Sequence, residues 1–185
     1  MKRIHILGIS GSLRADSTNT IILKTVGTLF PSDVTFEIFE GLGEIPHFSP
    51  GLDSPGLDSP GLTDNQALAR FKTAIGQADG VVICTPEYAF GVPGTLKNAL
   101  DWTVGTGEFN DKPVSAISAS PLNTGGNNAL ASLLLTLTAL GTRKNEASSL
   151  SIPNVKGKIS AGQVTDKHTI EALREQCGNL LRLIG

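Results

Sequence analysis

The stretch Val81-Val82-Ile83-Cys84-Thr85-Pro86-Glu87-Tyr88-Ala89-Phe90-Gly91-Val92-Pro93-Gly94-Thr95-Leu96 decides how the rest of the chain folds. Its first five residues form an apolar run between Gly80 and Pro86. A run of that kind reads as a strand buried on both faces, the position of a central strand in a parallel sheet. Pro86 ends it, because proline offers no amide to the ladder. Pro93 has a fixed φ suited to a first helical turn, and Gly91 and Gly94 let the backbone approach whatever lies beside them. Leu96, Ala99 and Leu100 then supply the inner face of a helix. A rigid loop with a carboxylate and an aromatic ring therefore follows a central strand, at the end where open α/β sheets hold their ligands.

Upstream, Ile4 to Gly8 reads as a first strand, followed by the turn Ile9-Ser10-Gly11-Ser12-Leu13-Arg14-Ala15-Asp16-Ser17-Thr18-Asn19. Ile22, Val26, Leu29 and Phe30 recur at helical spacing after it. A strand, a Gly/Ser turn and a helix start make an anion site, where free amides and hydroxyls converge on the positive end of a helix. The turn matches neither a Walker loop nor the Gly-x-Gly-x-x-Gly fingerprint. Rich in hydroxyls and without a Walker lysine, it suits a monophosphate. The same residues also read as a plain capped helix, with Ser17, Thr18 or Asn19 as N-cap and Arg14 on the surface.

Residues 34–40 alternate as a second strand. The chain then turns irregular to Leu62 and contains three tandem copies of a Ser-Pro-Gly-Leu unit from Ser49. Three such short copies are loop growth rather than a solenoid, and read either as a lid or as an exposed excursion. Thr63-Asp64-Asn65-Gln66 has capping-box spacing ahead of a helix carrying Leu68, Phe71, Ile75 and Ala78. Beyond the central motif, residues 113–120 read as a fourth strand. The Gly-rich turn 121–127 follows, then a helix with Leu130, Leu133, Leu134, Leu137 and Leu140 that Gly141 terminates. Residues 145–152 supply a fifth, edge strand, and Ile170, Leu173, Cys177, Leu180, Leu181 and Ile184 a last amphipathic helix. Strands alternating with helices five times give an α/β doubly wound parallel sheet.

The 185 residues fit one domain, 1–185, with 39% hydrophobic and 17% charged residues and a net charge of −2. Without a basic run, nothing argues for nucleic acid or an anionic membrane surface. No stretch reaches the roughly 20 apolar residues of a membrane span, and the start is too short for a signal peptide, so a cytoplasmic location is expected. Cys84 and Cys177 lack metal-type spacing and read as buried thiols. His5, His47 and His168 read as structural or solvated. No metal site, triad or nucleophile elbow emerges, so no catalytic side chain is assigned; in such a chain a cofactor carries the chemistry.

Two segments resemble a known family. Pro86-Glu87-Tyr88, then Pro93-Gly94, then Leu96-Lys97-Asn98-Ala99-Leu100-Asp101-Trp102, resemble the flavin-ring segment of the NAD(P)H-dependent FMN reductases. These are flavodoxin-like proteins that include flavin, quinone, azo-dye and chromate reductases. Gly11-Ser12-Leu13-Arg14 with Ser17-Thr18-Asn19 resembles their phosphate motif. The resemblance implies a five-stranded sheet in order 2-1-3-4-5 with helices on both faces. It implies FMN, its phosphate held by Ser10, Ser12, Arg14, Ser17, Thr18 and Asn19. The ring would lie between Pro86, Glu87, Tyr88, Ala89, Phe90 and Gly91 on one side and Ser118, Ser120, Gly125 and Gly126 on the other.

NADPH or NADH would deliver hydride to the flavin and then leave. A small acceptor (quinone, free flavin, azo compound or chromate) would take its place, a ping-pong scheme. Amides of the Glu87-Tyr88-Ala89 turn would hydrogen-bond the ring edge, and Tyr88 would limit access. Many relatives have Asn where this chain has Ala89, so one side-chain contact to the ring is missing. A homodimer or homotetramer is implied, with the helix of Leu96, Leu100 and Trp102 in the core or at the contact and Lys97, Asn98 and Asp101 as its polar face. Two other readings stand beside this one: a flavodoxin-like electron carrier with a protein partner, which the modest acidity disfavours, and a flavin-free protein binding another phosphate ligand.

Overall fold

The computed structural model describes residues 3–50 and 65–185. The elements are β1 (Ile4–Ser10), α1 (Thr18–Leu29), β2 (Val34–Ile38), α2 (Gln66–Gln77), β3 (Gly80–Thr85), α3 (Gly94–Asp101), β4 (Val114–Ala119), α4 (Asn127–Ala139), β5 (Ser149–Ile152), β6 (Ile159–Ser160), β7 (Gln163–Val164) and α5 (Lys167–Ile184). β1 to β5 form one parallel sheet in the order β2-β1-β3-β4-β5. The predicted flavodoxin-like order, with helices on both faces, is the observed one.

Period-two alternation divides the core. Leu7, Ile9, Val81, Ile83, Val114 and Ala116 face α2, α3 and α4. Ile6, Val82, Cys84, Ile117, Ala119 and Ile152 face α1 and α5. Every residue of β3 and β4 is buried, as expected of parallel strands covered on both sides. β2, at the sheet edge, is only half-buried and two residues shorter than its alternating pattern, although the Phe39 amide still reaches the Gly8 carbonyl at 2.8 Å.

Local signals fixed most helix ends. Ser17 caps α1, its hydroxyl accepting the Asn19 amide at 3.2 Å, and Asp166 caps α5. Gly141 stands just past α4 with φ of +69°, the left-handed turn that lets glycine end a helix. α2 is capped by Asn65 through the Leu68 amide; Thr63 and Asp64, read as a capping box, lie outside the described residues. The repeat beyond Pro50 also lies outside them.

Other features depart from the reading of the sequence: the fifth strand is confined to Ser149–Ile152, with a 3-10 turn at Glu146–Ser148 before it. β1 runs two residues further, through Ser10. Asn98 is not merely part of a solvated face: its side chain donates to the Pro46 carbonyl at 2.9 Å and accepts the Phe48 amide at 2.7 Å. The buried Trp102 indole also donates to Pro46, so α3 pins residues 46–48. Finally, β6 and β7 form a small antiparallel hairpin that no alternation announced, its strands being two residues each. No helix among the described residues is long and apolar enough to cross a membrane.

Candidate functional site

A cleft of about 600 Å³ opens at the carboxyl ends of β1, β3 and β4. β1 and β3 are the neighbours at which the winding of the sheet reverses, so the loops after them diverge and leave a crevice. The cleft joins three segments separated in sequence: the loop after β1, the hairpin after β3 and the turn after β4.

The first segment is folded in advance. The Gly11 amide donates to the Cys84 carbonyl at 2.8 Å, tying the loop to β3. Beneath it the buried Cys84 thiol donates to Asn19 Oδ1 at 3.3 Å. Burial raises the pKa of Cys84 far above that of an ordinary thiol, and pushes that of Cys177 up to about 12, so both are inert packing groups. Ser12 Oγ accepts the Arg14 amide at 3.4 Å and Ser17 Oγ accepts the Asn19 amide. A hydroxyl that accepts still has its own proton to donate. Among the described residues neither proton has a partner, and both serines line the cleft.

Arg14 stands at the mouth, 3.2 Å from Asp16; both side chains are well exposed, and such a pair is readily exchanged for another anion. Free hydroxyl protons, a guanidinium and the N-terminus of the 12-residue α1 form a donor set that fits a phosphate.

The second segment is a two-residue β-turn. The amides and carbonyls of Tyr88 and Gly91 pair in both directions at 3.1 and 3.0 Å. Ala89 and Phe90 between them have φ of +49° and +61°, the signature of a type I′ turn. This corrects one expectation: the Tyr88 amide is used within the hairpin and does not face a ligand edge. Pro86, Glu87 and the half-exposed Tyr88 line the cleft, whereas Ala89, the exposed Phe90 and Gly91 form the hairpin tip outside it.

In the third segment Ser120 lines the cleft, and its hydroxyl accepts the Leu122 amide at 3.2 Å. Ser118, Gly125 and Gly126 do not line it; they support it from behind. Ser118 is fully buried and donates to the Gly125 carbonyl at 2.9 Å. Gly126, with φ of +83°, sits where a Cβ would lie 3.3 Å from that of Ser118 and 3.5 Å from that of Glu87. Ser10 is likewise behind its loop, its hydroxyl 3.0 Å from that of Thr20.

Thus Ser12, Arg14, Ser17, Thr18, Asn19, Pro86, Glu87, Tyr88 and Ser120 converge, as the sequence reading proposed. Missing from that reading were Asp16, Ala119, Pro121, Leu122, Val155 and Lys156. The last two are brought in because the Val155 amide donates to the Ser120 carbonyl at 3.1 Å, a pairing without a sequence signal. Among the described residues no cluster of His, Cys, Asp or Glu has the makings of a metal site.

Such a cleft, at the switch point of a doubly wound sheet, defines a flavodoxin-like protein with a donor set at its ligand end that fits a phosphate. Comparison with known proteins narrows this. A family model described as NADPH-dependent FMN reductase matches residues 4–157. The chain is 32% identical over 180 residues to a quinone reductase of Escherichia coli, covering 95% of this chain and 92% of that one. It is 39% identical over 121 residues to a 2-hydroxy-1,4-benzoquinone reductase from a Burkholderia species, matching 63% of this chain and 61% of that relative.

Among solved structures, the flavoenzyme FerB, an NAD(P)H:(acceptor) oxidoreductase from Paracoccus denitrificans, superposes with a TM-score of 0.82. It is 29% identical, and the match covers 98% of this chain and 97% of that one. The chain belongs to the NADPH-dependent FMN reductase family. It is an oxidoreductase of the FMN and quinone reductase type, using FMN with NAD(P)H as electron donor.

Proposed function

We propose that this protein, as a single FMN-binding domain spanning residues 1–185, transfers reducing equivalents from NAD(P)H to a small quinone-type acceptor. The observation that carries the reading is the convergence of the hydroxyl-lined loop after β1 with the Tyr88 hairpin in one cleft. Ser12 and Ser17 donate to the phosphate, Arg14 turns from Asp16 to pair with it, and Pro86, Tyr88 and Ser120 border the ring. Bound FMN supplies the two-electron chemistry that no side chain of this chain can. Tyr88 and Leu122, both more than half exposed at the rim, leave the cleft open to a flat partner.

One open face shared by donor and acceptor makes the kinetics ping-pong. Two relatives named as quinone reductases favour a quinone over free flavin, azo compounds or chromate as acceptor. We place the enzyme in the cytoplasm as a homodimer or homotetramer.

The test is a visible spectrum of the purified protein with added FMN, followed by anaerobic NADPH. Prompt bleaching, then reoxidation by benzoquinone with parallel double-reciprocal lines, is expected. Bound flavin that NADPH leaves oxidised would instead indicate an electron carrier with a protein partner. Protein that takes up no FMN would sink the reading altogether.

A further inference from the structure

The 13-residue α4 starts behind the cleft without a cap of its own: its N-cap is Gly126, which has no side chain to offer. The missing acceptor comes from another loop. Glu87 Oε2 accepts the Ala129 amide at 3.0 Å. Gly126 allows this approach, since its vacant Cβ position faces Glu87 and Ser118 together. Glu87 therefore connects the hairpin after β3 to the helix after β4, and it also lines the cleft. Sequence reading placed it beside the cofactor; one oxygen of its carboxylate accepts from α4.

We propose that Glu87 is a positioning residue with two effects, resting on the FMN reading above. By hydrogen bond it holds the Tyr88 hairpin in register with the turn that Ser118 and Gly125 support. By charge it offsets the positive end of α4, which carries about half an elementary charge. An uncancelled positive helix end beside the cleft favours added electron density there. It would raise the reduction potential of a flavin bound in the cleft; the carboxylate keeps that potential low and the flavin a stronger reductant.

The two effects separate in Glu87→Gln and Glu87→Ala. Glutamine retains an oxygen that accepts the Ala129 amide and loses the charge; alanine loses both. In the protein without flavin, hydrogen exchange at Ala129 should be about tenfold faster in Glu87→Ala and nearly unchanged in Glu87→Gln. FMN binding by fluorescence titration should weaken about tenfold in Glu87→Ala and less than about threefold in Glu87→Gln. The midpoint potential of bound FMN, measured against redox dyes, should move positive in Glu87→Gln. A potential equal to wild type in Glu87→Gln overturns the charge effect. Unchanged Ala129 exchange and FMN affinity in Glu87→Ala overturn the brace. Wild-type protein that binds no FMN defeats the flavin reading and the charge effect with it, while Ala129 exchange still decides the brace.

Discussion

The two helices that begin beside the cleft start in opposite ways. α1 is capped by its own Ser17, two residues from the amide it receives. α4 begins at a bare glycine and takes its acceptor from Glu87, 42 residues away in the chain. The start of α1 is thus capped locally, by a loop whose serine hydroxyls accept its own amides. The start of α4 is assembled, and holds only when β3 and β4 lie side by side. A local cap is indifferent to the rest of the fold, whereas a borrowed one makes two loops a single unit.

The largest expected effect strikes the borrowed cap. Gly126→Val puts a branched side chain at φ of +83° and into Ser118 and Glu87. It should cost about 2–3 kcal/mol in urea denaturation, from left-handed strain and displaced neighbours together. An unchanged midpoint would mean that the two loops are not interlocked. Next is the local cap. Ser17→Ala should lose about 1 kcal/mol of stability. Ser17→Asp sharpens the contrast: it keeps an efficient cap, so stability should hold, while its charge repels a phosphate and FMN titration should show binding lost.

Smaller still is the hairpin tip. Ala89 has a left-handed φ of +49° that asparagine tolerates better, so Ala89→Asn should raise stability by about 0.5–1 kcal/mol, read as a higher Tm. Asp16→Asn should leave Tm unchanged and tighten FMN about two- to threefold, since Arg14 no longer shares its charge with an exposed carboxylate.

The third self-capped start tests the rule by pH. Hydrogen bonds from the Thr169 hydroxyl and amide hold the Asp166 carboxyl below its ordinary value of 3.8. The unfolded chain therefore binds the proton more readily than the folded one. The stabilisation is complete above the unfolded value and is lost as pH falls through the lower, folded one. Thermal melts of Asp166→Asn should show a shallower loss of stability across that acid range than wild type.

The chain announced its sheet through burial. The apolar run of β3 and the periodicity of α5 each follow from which residues water excludes, and strand–helix alternation left few windings. The place of Ser12, Ser17 and Asn19 at the start of α1 was legible because capping is short-range chemistry. Asn98 was misread as part of a solvated face because its partners, Pro46 and Phe48, lie across an irregular stretch that spacing does not relate to it. Lys156 was missed for the same reason, entering the cleft only through the Val155–Ser120 pairing.

The sequence by itself determined the alternation of elements, the two-sided core, the hydroxyl-lined loop after β1 and the family. The first three rest on periodicity or on contacts within a few residues, the family on the resemblance of two motifs. Only the tertiary structure decided what Glu87 touches, why Gly126 carries no side chain and how the Tyr88 amide is used. Those outcomes depend on the few ångströms between loops that the sheet brings together, a distance on which neither composition nor spacing bears.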